Sequence, residues 1–195
     1  MQHRKQRSVT LVLGGVRSGK SRFAQELAER ASSVAFVGTP KAVDEEMREK
    51  IRRHQQERPG HWRTFEEPVD LAGVFTAHAA KFDLVIVDCL TIFVANALEG
   101  GAESAHQHID LFLESLRSSQ HSVVLVSNEV GSGVVPEYPS GRRFRDLLGE
   151  LNQRVAALAD TVVLMIAGLP WVLKGQLDAC LTAAQRSEAH GTVQS

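Results

Sequence analysis

Cysteine is scarce in this sequence, with only Cys89 and Cys180 among 195 residues. Two cysteines are too few for a disulfide framework and favour a reducing, cytoplasmic location. No apolar run approaches the roughly 20 residues that a membrane helix requires, and no apolar signal segment follows the basic N-terminus. Neither charge dominates, because 22 basic side chains stand against 23 acidic ones. This balance argues against a nucleic-acid-binding surface.

What the sequence does contain is a regular alternation of apolar runs and helical patterns. The length fits one domain over residues 1–195, with flexible tails at 1–8 and about 182–195. Five runs rich in Val, Ile and Leu show little polar alternation, as in parallel strands covered on both faces. They are residues 9–13, 33–37, 82–88, 122–127 and 161–166. Helical periodicity over residues 21–31 and 146–159 completes the pattern, which predicts an α/β fold with a doubly wound, mostly parallel sheet.

Residues 14–21, GGVRSGKS, fit the pattern G-x-x-x-x-G-K-[ST] between the first predicted strand and the first predicted helix. Glycines let the backbone wrap a phosphate with its N–H groups pointing inward, and the helix N-terminus adds a positive dipole. The lysine then reaches the β and γ phosphates, and the serine hydroxyl is a ligand for Mg²⁺. The predicted phosphate-binding residues are Gly14, Gly15, Val16, Arg17, Ser18, Gly19, Lys20 and Ser21.

Asp88 ends the apolar run FDLVIVD. A carboxylate at the end of a strand beside a P-loop holds Mg²⁺ directly or through water. We therefore predict a magnesium site formed by Ser21 and Asp88. The alternative is that Asp88 only caps the turn that follows the strand.

A glycine-rich segment begins at the end of the fourth apolar run, where Asn128 and Glu129 are placed to face a ligand crevice. Three arginines follow at positions 142, 143 and 145. They belong either to a mobile lid over anionic groups or to a surface loop in which they pair with Asp146 and Glu150.

A helix is predicted from about Asp44 to Arg58, with acidic residues at its start and basic ones toward its end. His54 falls in line with Met47 and Ile51 on the inward stripe. Nearby arginines disfavour protonation of its imidazole and leave a neutral nitrogen for attack on phosphorus. The alternative is a surface histidine on a solvated basic helix.

Several blocks together resemble the adenosylcobinamide kinase/adenosylcobinamide-phosphate guanylyltransferase family of cobalamin biosynthesis. The resemblance covers about Leu11 to Lys174 and includes, besides the P-loop, the segments DEEMREKIRRHQQERPGHWRTFEEP, DCLTIFVANAL and SNEVGSGVVPE. It implies a P-loop NTPase fold of the RecA-like type and a homo-oligomer, a trimer. It also implies two reactions. A nucleoside triphosphate, ATP or GTP, first phosphorylates adenosylcobinamide; GMP is then transferred from GTP to adenosylcobinamide phosphate.

The resemblance also implies residue roles. His54, in the family context H-x-x-x-R-P-x-x-W, carries GMP covalently. Lys20, assigned above from the P-loop motif, is the second predicted catalytic residue. GTP contacts outside the P-loop are implied for Gly38, Thr39, Pro40, Gln55, Gln56, Glu57, Arg58, Glu66 and Asp88. Two other functions stay open at this point: a monofunctional small-molecule P-loop kinase, which forms no covalent adduct, and a GTP-binding switch protein.

Overall fold

A computed structural model of the chain describes residues 7–41, 45, 48, 49, 52 and 58–177. Within these residues a seven-stranded sheet has the order β3-β2-β4-β5-β1-β6-β7. The strands are β1 (Val9–Gly14), β2 (Val34–Gly38), β3 (Arg63–Glu66), β4 (Leu84–Asp88), β5 (Ser122–Val126), β6 (Thr161–Ile166) and β7 (Leu169–Lys174). Neighbouring strands are parallel except for the antiparallel pair β6 and β7. Each of the five predicted strands is present within two residues of its expected ends.

Among the described ranges, five α-helices with complete bounds flank the sheet. They are α1 (Lys20–Ala28), α2 (Leu71–Ala77), α3 (Leu90–Leu98), α4 (Ala102–Ser118) and α5 (Pro139–Leu158), and a 3₁₀ helix spans Ala79–Lys81. One face of the sheet packs against α1 and the indole of Trp62. The other face packs against α2, α3, α4 and α5 around Phe93 and Phe112. This arrangement confirms the predicted doubly wound α/β fold.

Both strands that the sequence analysis missed lie at edges of the sheet. The four residues of β3 are half-buried or exposed, so they lack the continuous apolar run of a central strand. Strand β7 contains Pro170 and alternates exposed with half-buried residues. Proline within a run argues against a central strand but is tolerated at an edge, which is the position of β7.

The arginine-bearing segment after β5 also differs from the prediction. Arg142, Arg143 and Arg145 were assigned to a loop, but they lie in the first turns of α5, which begins at Pro139. Proline suits the first turn of a helix because its fixed φ matches and its missing N–H is not needed there. Pro139 therefore starts the helix seven residues earlier than the apolar periodicity indicated.

Residues 7 and 8, which the sequence assigned to a tail, are hydrogen-bonded to the body of the protein. The Arg7 guanidinium donates to the Leu116 carbonyl at 2.8 Å, and the Ser8 carbonyl accepts from the Val123 N–H at 2.8 Å. The second bond continues the ladder between β1 and β5 by one residue. No helix within the described residues is long and apolar enough to cross a membrane.

Candidate active site

Loop geometry at residues 14–19 requires glycine at both ends. Gly14 has φ of 154°, and a Cβ there would lie 2.6 Å from the Met165 carbonyl oxygen and 2.6 Å from Ser18 Oγ. Gly19, at the N-cap of α1, has φ of 94°. Both values favour glycine because other residues pay a steric cost there. The loop is thus tightly wound between β1 and α1, as its motif predicts.

Lys20 lies over this loop rather than in solvent. Its side chain is buried, and Nζ donates to the Gly15 carbonyl at 2.6 Å and to Ser18 Oγ at 3.5 Å. Burial lowers the pKa of Lys20, while Cys89 and Asp88 raise it. The ammonium group is therefore close to the end of β4 as well as to the loop backbone.

Three strand ends meet beside the P-loop. Gly38 on β2 is in register with Glu66 on β3 and with Asp88 on β4. A Cβ on Gly38 would come within 2.8 Å of Glu66 Oε2, so the Glu66 side chain lies across this glycine. The carboxylates of Glu66 and Asp88 thus belong to strands on either side of Gly38.

Arg58 brings a positive charge to the same edge. Its guanidinium stacks on the Phe36 ring, 3.5 Å from the ring centroid, and Nη1 donates to Thr64 Oγ1 at 3.3 Å. Burial lowers the pKa of Arg58, while Glu66 and then Asp88 raise it. The guanidinium, which stays charged in proteins, is therefore within electrostatic reach of both carboxylates. Among the residues that the structure describes, its buried Nε has no hydrogen-bond partner.

The segment after β5 is fixed by hydrogen bonds on several sides. The Asn128 N–H donates to Thr91 Oγ1 at 2.8 Å, and its carbonyl accepts from Asn152 Nδ2 at 3.1 Å. The Glu129 N–H donates to the Gly14 carbonyl at 3.1 Å, which ties this segment to the P-loop. The exposed Glu129 carboxylate accepts from the Gly131 N–H at 2.5 Å and the Ser132 N–H at 3.1 Å.

The arginines at the start of α5 make local contacts. Arg142 donates to the carbonyls of Pro136 and Glu137, which joins the loop to the helix. Arg145 forms an ion pair with Asp146 at 2.9 Å, as the surface-pairing alternative predicted for that residue. Glu150 instead lies 3.9 Å from Arg154. These contacts favour surface pairing over a lid for Arg145.

His54 and its neighbours Gln55, Gln56 and Glu57 lie outside the described residues, so their predicted roles are not placed. The described parts of this stretch are Glu45, Arg48, Glu49 and Arg52, all helical and exposed. Arg52 forms ion pairs with Glu45 at 2.6 Å and with Glu49 at 3.1 Å. Beyond the stretch, a turn joins the Trp62 N–H to the Pro59 carbonyl at 3.0 Å, and buried Trp62 anchors it to the sheet.

The remaining predicted contacts differ in exposure. Thr39 is fully buried and Ser18 nearly so, whereas Val16 at the tip of the loop is 85% exposed. Gly15 and Arg17 are also exposed, and Ser21 and Pro40 are half-buried.

Two positions that the sequence analysis did not single out, Asn96 and Asn152, are buried amides with contacts at this edge of the sheet. An asparagine inside the apolar helix segment LTIFVANAL is a sequence signal for such a contact.

A phosphate-binding loop between β1 and α1, with an aspartate at the end of a nearby parallel strand, defines a P-loop nucleotide-binding protein of the α/β class. Residues 10–173 match the family described as cobinamide kinase / cobinamide phosphate guanyltransferase. The chain belongs to this family, and it is an enzyme of the kinase and nucleotidyltransferase type. The predicted family, fold and enzyme class are confirmed.

Curated relatives agree with this assignment over almost their whole length. The bifunctional adenosylcobalamin biosynthesis protein CobP of Pseudomonas aeruginosa is 41% identical over 168 residues, which is 85% of this chain and 97% of the relative. The corresponding protein CobU of Salmonella typhimurium is 39% identical over 173 residues, or 82% and 96% of the two chains.

A similar solved structure is an ATPase from the type III secretion system of pathogenic bacteria, with a TM-score of 0.53 and 12% identity. The match covers 91% of this chain and 61% of that one. At this identity the likeness shows the P-loop NTPase fold alone.

Proposed function

We propose that this enzyme phosphorylates adenosylcobinamide with ATP or GTP and then transfers GMP from GTP to adenosylcobinamide phosphate. The observation that carries the proposal is the meeting of Lys20, Arg58, Glu66 and Asp88 at one edge of the sheet, beside the P-loop, in a chain of this family. Two cations and two carboxylates at a phosphate cradle suit a reaction that moves charged phosphoryl groups.

The proposed nucleotide site extends along this edge from the P-loop to the end of β3. The loop backbone from Gly14 to Ser21 surrounds the phosphates, and Lys20 Nζ exchanges its bond to the Gly15 carbonyl for a phosphate oxygen. The backbone of Gly38, Thr39 and Pro40 lies along the nucleotide, and Arg58 adds a second positive charge. Gln55, Gln56, Glu57, Glu66 and Asp88 complete the proposed set of contacts.

Mg²⁺ is the proposed metal, and the residues present fit it. Ser21 and Asp88 offer a hydroxyl and a carboxylate, the hard oxygen ligands that Mg²⁺ prefers. Both side chains are half-buried, which leaves room for water and phosphate oxygens in the coordination shell. When bound, the ion neutralises negative charge on the phosphates.

In the kinase step, the cobinamide hydroxyl oxygen attacks the γ-phosphorus, the bond to the bridging β–γ oxygen breaks, and a nucleoside diphosphate leaves. The hydroxyl proton must pass to a base. Asp88 and Glu129 are the two candidates, but the Glu129 carboxylate already accepts two backbone N–H groups of its own loop. Asp88 is also the proposed Mg²⁺ ligand, and both carboxylates stay candidates for the base.

In the guanylyl step, the proposed nucleophile is a neutral ring nitrogen of His54. It attacks the α-phosphorus of GTP, a P–N bond forms, and pyrophosphate leaves with the electrons of the broken P–O bond. A phosphate oxygen of adenosylcobinamide phosphate then attacks the same phosphorus. This displacement restores the imidazole and gives adenosyl-GDP-cobinamide.

The Asp88→Asn substitution tests the metal site because it keeps the shape of the side chain and removes its charge. We expect turnover in both steps to fall by about 100-fold, on the order expected for loss of one preorganised electrostatic contact. The Mg²⁺ concentration at half-maximal activity should also rise. A magnesium titration of both half-reactions with cobinamide and cobinamide phosphate measures these effects; a titration curve identical to that of the wild type would return Asp88 to a capping role.

We further propose that the chain works as a single domain in a cytoplasmic homotrimer. An apolar patch on the outer strands supports a subunit interface. It consists of Ile166, Leu169, Trp171 and Leu173, each more than half exposed, and cross-strand pairing puts Ile166 opposite Leu169 and Leu164 opposite Trp171. Contiguous exposed apolar side chains on an edge strand are typical of association surfaces.

Replacement of Trp171 by glutamate places a charge in the middle of this patch. We expect the variant to lose most of its trimer at micromolar concentration, because burying an unpaired carboxylate is costly. Light scattering coupled to size-exclusion chromatography measures the mass. The matched control is Leu111→Glu, an exposed leucine on α4, which should remain a trimer. A trimeric Trp171→Glu protein would place the interface elsewhere.

A further inference from the structure

The side chain of Thr39 is occupied by backbone groups rather than facing the nucleotide site. Thr39 directly follows β2 and has no exposed surface. Its hydroxyl accepts from the Cys89 N–H at 2.9 Å and donates to the Cys89 carbonyl at 2.8 Å. A hydroxyl has one hydrogen to donate. Here the acceptor is the carbonyl of Cys89, the residue after Asp88. The Thr39 N–H donates to the Asp88 carbonyl at 3.3 Å.

Asn96 continues these contacts from the other side. It lies in α3, where its side chain is only 8% exposed. Its Nδ2 group donates to the Thr39 carbonyl at 2.8 Å and to the Pro68 carbonyl at 3.1 Å. A single buried amide therefore joins the residue after β2 to the segment that follows β3.

Together these bonds link the ends of three neighbouring strands. The Glu67 N–H donates to the Gly38 carbonyl at 2.9 Å, which attaches the end of β3 to the end of β2. Thr39 attaches the end of β2 to the residue after Asp88, and Asn96 holds Thr39 and Pro68 from α3. The backbone that carries Glu66 and Asp88 is fixed by partners that are themselves buried.

We propose that Thr39 and Asn96 are positioning residues, here called the strand-end clamp, that hold Asp88 in the orientation required by a Mg²⁺-bound nucleotide. Thr39 then acts through Asp88 and makes no side-chain contact with the nucleotide. The proposal rests on the nucleotide site described under the proposed function. Asn96 contributes to the site indirectly, because its amide donates to two backbone carbonyls that follow β2 and β3.

The physical basis is that partners behind a metal ligand fix its orientation. Loss of such a partner typically weakens metal affinity or activity by 10- to 100-fold. A buried hydrogen-bond network also specifies one arrangement when all its members are satisfied. Removing the Thr39 hydroxyl takes away the bond to the Cys89 N–H and one bond to the Cys89 carbonyl. The remaining bonds, from Phe93 N–H to the Cys89 carbonyl and from Thr39 N–H to the Asp88 carbonyl, hold the Asp88–Cys89 segment less tightly.

The test measures binding of a fluorescent GTP analogue, N-methylanthraniloyl-GTP, with and without Mg²⁺. The ratio of the two dissociation constants is the Mg²⁺ coupling factor, and it does not depend on the fraction of protein that is folded. Thr39→Val is nearly isosteric but lacks the hydroxyl. We expect it to reduce the coupling factor by about 10-fold or more while the dissociation constant without Mg²⁺ changes less than about threefold. Thr39→Ser keeps the hydroxyl and should retain the wild-type factor.

Asn96→Ala is the second variant, because it removes the amide donors and leaves the Thr39 hydroxyl in place. It should lower the coupling factor in the same direction. Ser119→Ala is the matched control: Ser119 is also 8% exposed, and its hydroxyl bonds the N–H and carbonyl of one residue, His121. These residues directly precede β5, at the amino-terminal end of that strand, whereas Asp88 lies at the carboxyl end of β4. It should lower the melting temperature and leave the coupling factor unchanged.

Three results would overturn the clamp. The first is a wild-type coupling factor in both Thr39→Val and Asn96→Ala. The second is an equal loss of affinity with and without Mg²⁺ in Thr39→Val, which would mean a direct nucleotide contact. The third is a loss in Thr39→Ser as large as in Thr39→Val. A wrong assignment of the nucleotide site gives a different result. The wild-type protein would then bind the GTP analogue no more tightly than the Lys20→Ala variant does.

Discussion

Lys20→Ala should reduce both the kinase and the guanylyltransferase reactions by about 100-fold or more while the protein stays folded. The expected size corresponds to the loss of one preorganised cation at a phosphate, where each tenfold effect equals about 1.4 kcal/mol of transition-state stabilisation. Both reactions should suffer because one phosphate cradle serves both. Folding should survive, since the hydrogen bonds of Nζ within the described residues are to groups of its own loop.

The measurement is turnover of cobinamide and of cobinamide phosphate in separate assays, with circular dichroism as the check on folding. Lys81→Ala is the control, because Lys81 lies in the 3₁₀ helix before β4, at the amino end of that strand. Lys81→Ala should retain wild-type rates. Near-normal turnover of either substrate by folded Lys20→Ala would contradict a shared phosphate site.

His54→Ala should abolish guanylyl transfer and spare phosphorylation of cobinamide. The guanylyl step is proposed to pass through a bond between the imidazole and the α-phosphorus, and alanine offers no nucleophile. The kinase step uses the P-loop and a direct attack by the substrate hydroxyl, so it does not need the histidine. Product analysis by chromatography, with ATP alone and then with GTP added, separates the two steps.

His61→Ala is the matched control for this substitution. His61 is exposed in the turn that leads to Trp62 and does not share the predicted inward stripe of the helix. It should retain both activities. If His54→Ala still forms GDP-cobinamide, or if both substitutions act alike, the alternative of a monofunctional kinase with a solvated histidine gains support.

The central strands and the P-loop were predictable from sequence because their signals are local. Each central strand is an unbroken apolar run, since both faces of the sheet are covered, and the loop motif fixes both the glycine positions and the following helix. The edge strands were not predictable in this way. Arg63–Glu66 is short and partly exposed, and Leu169–Lys174 contains a proline and exposed apolar residues in place of a buried apolar run.

Residues of the candidate site could be predicted only where the residue type and motif indicate a chemical role. Asp88 and Lys20 were predicted from motif and strand position, and the structure brings them near each other, because burial lowers the pKa of Lys20 while Asp88 raises it. The family resemblance implied that Thr39 contacts the nucleotide, but its hydroxyl is hydrogen-bonded to the backbone carbonyl and N–H of Cys89. Asn96 had no catalytic signature, because its contacts are with carbonyls distant in sequence.

The extent of helix α5 shows a further limit of periodicity. The buried apolar stripe begins at Leu147. Before it, Phe144 packs against the core and is only partly buried, and its neighbours are polar, so the first turns carry no apolar stripe. Pro139 was the available signal for an earlier start, since proline is favoured in the first turn. A helix that begins in solvent is recognised by its start signal rather than by its buried face.

The most direct test of the account is labelling of the protein by GTP. Wild-type enzyme is incubated with Mg²⁺ and GTP labelled in the α or the γ phosphate, and then separated by denaturing electrophoresis. A covalent GMP–histidine predicts label from the α position only, because pyrophosphate leaves, and an adduct that is removed by acid and stable to alkali, as a P–N bond is. Absence of α label from protein that binds GTP, or α label retained by His54→Ala, would contradict the account.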